Sequence, residues 1–184
     1  RLIETVLYEG EEVKPRGMKT KEVRPLMLQV RNPSQCIVKR PHFSKALMWM
    51  EIVQLLAGQF DWGLFNSLSP SAASLMNHYG AYGPRSTEQL FHAVEELELD
   101  EDSRRAMVYV GRPDDLRLAN DLAMPCTATW QFFIRDQKLE MVVNMRSWDL
   151  VWGLSYDVPC FVAVQQADEG AVAVRRDLLH GPAR

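Results

Sequence analysis

The 184-residue sequence has little of what marks several large protein classes. Its three cysteines, Cys36, Cys126 and Cys160, are too few for a disulfide framework and none stands in a Cys-x-x-Cys pair, so reduced thiols and a cytoplasmic setting are expected. Long hydrophobic runs are missing. The longest nearly uncharged stretch, 52–78, still carries Gln54, Gln59, Asp61 and Asn66, too polar for the ~20 apolar residues of a membrane span. Charge of one sign is not in excess either: 21 Lys+Arg stand against 24 Asp+Glu, a net −3. That excludes coating of nucleic acid by charge alone. Internal repeats, low-complexity tracts and a signal-peptide pattern at the start are also lacking. What is present, 47% hydrophobic and 24% charged residues, suits one globular domain over 1–184 with a sizeable core.

Along the chain, residues 1–40 read as extended and loop-rich. Ile3–Tyr8 has strand composition, Pro15 and Gly17 make Lys14–Lys21 a loop, and Leu26–Val30 resumes the strand character. A helix is predicted over Phe43–Ala57, with Ala46, Leu47, Met50, Val53 and Ala57 at spacings of three and four and Gly58 as its stop. A second is predicted over Thr87–Leu97, capped by Ser86 or Thr87. Strands follow at Ala106–Val110, Thr127–Ile134 and Leu139–Met145, the last two joined by a hairpin turn at Arg135–Lys138. Trp148–Gly153 starts like a helix, Val158–Gln166 fits helix or strand, and the polar tail 168–184 is expected to be disordered. The pattern is that of an α+β domain.

Two sets of residues bear on chemistry. Cys126, in Met124-Pro125-Cys126-Thr127, stands where a loop enters a strand, and the hairpin would bring it beside Arg146 at the neighbouring strand end. A lone thiol is most often a small buried hydrophobe, but a guanidinium beside it favours the nucleophilic thiolate. Arg16, Arg104-Arg105 and Arg146-Ser147 are three basic spots in an acidic chain. Singly they read as solvated charges; together they match a phosphate, which arginine grips in bidentate fashion. Glu51, among Met50, Ile52 and Val53, lies either on the solvent stripe of its helix or in a site.

These residues carry a resemblance. Pro125-Cys126, Gln131-Phe132, Arg146-Ser147-Trp148-Asp149, Gly153-Leu154 and Asp157 resemble, in order and spacing, the motifs of the thymidylate synthase superfamily. Upstream, Asp102-Ser103-Arg104-Arg105 is similar to its Ser-Arg-Arg element and Gly80-Ala81-Tyr82-Gly83 to its Gly-x-x-Tyr-Gly segment. The stretch Glu51–Gly58 is similar to its Glu-Leu-Leu-Trp-Phe-Leu-x-Gly helix, and Arg16-Gly17 more weakly to its N-terminal phosphate loop. The likeness is strongest over 43–165. Thr127 replaces the family's His after the nucleophile and Asp157 replaces its base-reading Asn. Both departures, with Val143–Ser147, look like the cytidylate hydroxymethylase branch. A later Gly-Asp-x-His-x-Tyr sugar-binding motif and the C-terminal lid have no counterpart beyond a faint echo at Leu179-His180, so ribose and deoxyribose are not distinguished.

The resemblance implies a mixed sheet packed with helices, an obligate sheet-mediated homodimer, a pyrimidine nucleotide monophosphate as substrate and 5,10-methylenetetrahydrofolate as one-carbon donor. Cys126 would add to C6 of the ring, making C5 nucleophilic, and Glu51 would activate water near the folate. Tyr82 would line the pocket and Asp149 would lie towards the folate. Arg16, Arg146, Ser147 and Gly153 would contact the nucleotide, with Arg104 and Arg105 reaching in from the partner subunit. Trp130, Phe132 and Met141 would belong either to the subunit interface or to the core. Asp157 bears on the base: cytosine offers an N4–H2 donor to a carboxylate, whereas uracil O4 would meet it acceptor against acceptor. The product expected is a C5-hydroxymethyl cytidylate, CMP or dCMP. The alternatives are a thymidylate synthase acting on dUMP and a non-catalytic nucleotide-binding dimer.

Overall fold

The computed structural model describes residues 2–37, 42–74, 78–117 and 124–180. Two antiparallel sheets and six α-helices occur among them. The functional part of the fold is a three-stranded sheet, order β3-β4-β5, formed by Met107–Tyr109, Thr127–Arg135 and Lys138–Met145. The hairpin turn falls where the sequence predicts it. Asp136 and Gln137 both take positive φ, 50° and 60°, as a two-residue turn matching the strand twist requires.

Alternation decides which sheet face is covered. Trp130, Phe132, Ile134 and Leu139 are buried against the helices, while Glu140, Val142 and Asn144 are exposed on the other face. Trp130 and Phe132 are 0% and 1% exposed within the single chain, and Met141 packs against the same cluster. All three are core residues. Interface candidates lie on the opposite face.

Helix α2, Lys45–Leu56, agrees with the predicted 43–57. Ser44 caps it, its Oγ accepting from Leu47 N at 3.2 Å, as Ser does at this position. Its start is pinned to helix α6, Gly153–His180, by the Ser44 N–H donating to the Tyr156 hydroxyl at 3.1 Å and by Phe43 stacked on Tyr156 at 5.1 Å. Helix α5, Tyr82–Leu99, starts a turn earlier than the predicted Thr87. Ser86 and Thr87 do not cap it. Their hydroxyls bond back to the carbonyls of Tyr82 and Gly83, both at 2.9 Å, the internal alternative open to Ser and Thr, and Pro84 is tolerated in a first turn. A Cβ at Gly83 would stand 2.9 Å from the Gln54 carbonyl. Only glycine lets α5 approach the end of α2 so closely, and this brings Tyr82 to the site.

Other expectations are corrected. Residues 3–8 form helix α1, Leu2–Glu9, not a strand: Ile3, Val6 and Leu7 recur at helical spacing, which outweighs their β-branched composition. The expected loop 14–21 is bounded by a short hairpin of β1, Glu11–Val13, and β2, Thr20–Glu22. Leu26–Val30 joins no strand. Two helices went unread, α3 (Trp62–Leu68) and α4 (Pro70–Ala73), capped by Asp61 and Ser69. Helix α6 continues to His180, with Asp168 and Val172 buried, and residues 181–184 lie outside the described ones. No described helix is long and apolar enough to cross a membrane.

Away from the site, a buried ion pair ties α5 to the loop after β3. Arg85 binds Asp115 in bidentate fashion at 2.7 and 2.8 Å, both side chains almost wholly buried, and also donates to the carbonyls of Tyr79 and Val110. The guanidinium holds the Asp115 carboxyl below its usual range.

Candidate functional site

The end of the β4–β5 hairpin sets Cys126 beside Arg146: the Arg146 N–H donates to the Cys126 carbonyl at 2.9 Å, one residue beyond the ladder pair Thr127 and Met145. The Arg146 guanidinium clamps the incoming loop, Nε donating to the Pro125 carbonyl and Nη2 to that of Met124, each at 2.9 Å. Arg146 and Arg16 both favour the Cys126 thiolate, but burial is the larger effect and pushes the thiol up from its ordinary value. Arg146 thus acts in the expected direction, but burial outweighs it. Arg16 is exposed at a φ of 51°, in electrostatic range of Cys126.

Helix α5 adds Tyr82. Its hydroxyl accepts from the Thr127 N–H at 3.3 Å, and its ring meets Trp130 edge-on at 6.4 Å. Burial and the Asp157 carboxyl push its pKa up, so it stays a neutral phenol. Glu51 projects from α2 between the buried Met50 and Ile52. Burial, then the neighbouring Asp157, lift its pKa to about 8. A shift of that size marks a desolvated carboxyl rather than one on the solvent stripe, mostly protonated at neutral pH.

Helix α6 supplies the remaining groups through the turn at its start. The segment Trp148–Gly153, expected to begin a helix, is the cap of one. Asp149 Oδ1 accepts the N–H groups of Val151, Trp152 and Gly153, the orphan donors of a helix N-terminus. The turn folds Trp148 back over α6, where its indole Nε1–H donates to Asp157 Oδ2 at 2.9 Å. Burial raises Asp157 to about 7, against the opposing effect of this bond. A Cβ on Gly153 would lie 3.1 Å from Asp157 Oδ2 and 3.2 Å from Trp148 Cδ1, so Gly153 makes room for the contact.

Cys126, Tyr82, Glu51, Asp157, Arg146, Arg16, Asp149 and Gly153 thus converge on one site; Ser147 is exposed next to Arg146. Arg104 and Arg105 do not join it within this chain. Arg105 binds Glu96 Oε1 at 2.8 and 2.9 Å, and the Arg104 carbonyl accepts from Gln131. Both arginines are exposed. Two residues near the carboxylates were missed: Trp148, which contacts Asp157 only because the 148–153 turn reverses the chain, and Cys160, buried on α6 in the field of Glu51 and Asp157. No spacing rule marks either. Among the described residues no cluster of His, Cys, Asp and Glu could hold a metal ion.

Chemically, the site pairs one thiol with two carboxyls raised to about 7 and about 8, behind exposed cations. Such a constellation can form a covalent adduct and move protons near pH 7. The chain is 28% identical over 176 residues to a protein of Bacillus phage SP01 named deoxyuridylate hydroxymethyltransferase, covering 83% of the chain and 45% of that relative. It spans about half the length of the curated relative it matches. The family model described as thymidylate synthase matches residues 42–167, which include every site residue named above except Arg16. The chain belongs to the thymidylate synthase family.

Proposed function

We propose that the protein transfers a one-carbon unit to C5 of a pyrimidine nucleotide monophosphate and leaves it as a hydroxymethyl group. The observation that carries this reading is the desolvated Glu51 carboxyl beside Asp157, raised to about 8 and so able to hold a proton at neutral pH and release it just above. Cys126 gives up its thiol proton as Sγ bonds to C6, and the ring becomes nucleophilic at C5; after C5 has taken the one-carbon unit it loses its own proton, and expulsion of Sγ from C6 restores the ring. 5,10-Methylenetetrahydrofolate supplies the one-carbon unit when bound. Asp149 is exposed and keeps its cap bonds on Oδ1, and Val151 and Trp152 beside it are exposed apolar side chains. A carboxylate next to an apolar shelf fits a flat ring rimmed with N–H donors. Glu51 holds the water that completes the product and takes its proton. Tyr82, neutral and anchored on Thr127, closes the wall of the pocket.

Arg146, Arg16 and Ser147 are the phosphate ligands of this proposal, with Arg104 and Arg105 entering from a second subunit across the exposed sheet face. Their exposure and their position beside β3 support that assignment. The base proposed is cytosine, because an ionised Asp157 accepts from N4–H2 and repels O4. A second reading, deoxyuridylate, is favoured by the name of the phage relative and by the ease with which Asp157 takes a proton. Tritium release from C5 of labelled CMP, dCMP and dUMP, with and without the folate, tests the reading. Folate-dependent release with a hydroxymethyl product supports it. Release with a methyl product makes the protein a thymidylate synthase in the narrow sense, and binding without release makes it a non-catalytic dimer.

A further inference from the structure

The reading of the base rests on one carboxyl, yet a carboxyl is symmetric and, once protonated, matches either pyrimidine. An acid can turn its hydroxyl to uracil O4 and accept from N3–H, or donate to cytosine N3 and accept from N4–H2. Something must break that symmetry if Asp157 is to select. The structure holds one asymmetric contact. Trp148 Nε1–H, a donor with no acceptor capacity, binds Oδ2 at 2.9 Å. A Cβ at position 153 would press on both Oδ2 and the indole edge, at 3.1 and 3.2 Å, so the glycine leaves the contact undisturbed.

We propose that Trp148 is the positioning residue for base selection: its indole N–H occupies Oδ2 of Asp157 and commits Oδ1, as an acceptor, to the substituent at C4 of the pyrimidine. Three consequences follow from donor and acceptor counting. A bond donated to Oδ2 favours the ionised carboxyl, which accepts from N4–H2 and repels O4, and the lowering influence of Trp148 on Asp157 has that direction. If an amide stood at 157, the indole would hold its oxygen and turn its NH2 towards C4, the arrangement that suits uracil. Without the indole N–H, the carboxyl would protonate more readily and the amide would be free to flip. The other ionisable groups set in the field of Asp157 are Glu51, Asp149, Cys126, Cys160 and Tyr82. Among the described residues the hydrogen bond to its side chain comes from Trp148 and not from these groups.

The inference depends on Asp157 reading the base, and the test separates the two. The ratio of kcat/KM for dCMP over dUMP is measured in the full protein, in Trp148→Phe, in Asp157→Asn and in the double variant. Trp148→Phe is expected to move the ratio roughly tenfold towards dUMP, the size of one charged hydrogen bond. In the Asp157→Asn background the same change is expected to move it the other way, towards dCMP. A general loosening of the loop would shift both backgrounds alike, and that result, or no shift in the Asp157 background, overturns the proposal. If Asp157→Asn alone leaves the ratio unchanged, the base-reading role of Asp157 fails instead. Trp148 is then judged by titrating the 13C-labelled Asp157 carboxyl: an upward move in Trp148→Phe supports the contact, and none overturns it. Should Trp148→Phe not fold, benzothienylalanine at position 148 deletes the N–H while keeping the ring system.

Discussion

Replacing Asp157 with Asn should change the preferred base. In the native site Oδ2 is held by the Trp148 indole at 2.9 Å, so Oδ1 is the atom left for the ring substituent at C4. An amide must give its oxygen to the indole, which only donates, and its NH2 then replaces Oδ1. Facing cytosine, that NH2 meets N4–H2 donor to donor; facing uracil, it donates to O4. One buried polar group is left unpaired for cytidylate and one acceptor clash is relieved for uridylate, each at about 1–3 kcal/mol. The preference should move by about 2–6 kcal/mol, or roughly 30- to 25,000-fold in the ratio of kcat/KM values. That ratio is the quantity to measure, since it reports transition-state discrimination. The native enzyme should also show a pH dependence that the Asn variant lacks. Asp157 is raised from 3.8 to about 7, so it is neutral below that pH and ionised above it. Relative activity on dUMP should therefore rise as pH falls through about 7 and fall as pH rises. A ratio that stays constant on substitution and across pH would refute the role of Asp157 in reading the base, while leaving the family assignment intact.

Three further outcomes are expected. Cys126→Ser should lower C5 tritium release by roughly a thousandfold or more with nucleotide binding retained, since a hydroxyl is a far weaker nucleophile; normal turnover would remove the covalent mechanism. An equal mixture of Arg105→Ala and Cys126→Ser chains should recover about a quarter of native activity, because half the dimers are mixed and each has one intact site of two. Mixtures that stay inactive while subunits exchange would count against Arg105 acting across the interface. Arg85→Met strands the Asp115 carboxylate in the interior, at about 3–5 kcal/mol, which for a chain of this size lowers Tm by about 6–20 °C; a shift below about 2 °C in a thermal melt would show that the pair is not a structural tie.

How far the sequence reaches depends on the distance over which a signal acts. Helix α2 and the β4–β5 hairpin were legible because periodicity, a Ser cap and a two-residue turn are local facts. Cys126 and Arg146 were legible for the same reason, since a hairpin fixes which residues meet across it. Helix α5 was legible only in part. Ser86 and Thr87 look like caps, but their hydroxyls bond inside the helix because Gly83 packs on α2, a tertiary contact. Glu51 illustrates the boundary. Its position on a helix followed from spacing, but whether it faced water or the site depended on where α6 laid Asp157.

The electrostatics were decided by the tertiary structure alone. An arginine beside a cysteine suggests a thiolate, yet desolvation of Cys126 outweighs Arg146, whose guanidinium is turned to the loop carbonyls. Asp149 was expected to lie towards the folate, and only the fold showed that its Oδ1 also caps α6. Trp148 carried no signal at all until the capped turn brought the indole back to Asp157. Residue identity and order determined which family this chain joins and which groups the chemistry requires. Burial and hydrogen-bond direction, which depend on elements far apart in sequence, determined the protonation of those groups and the atom each one presents.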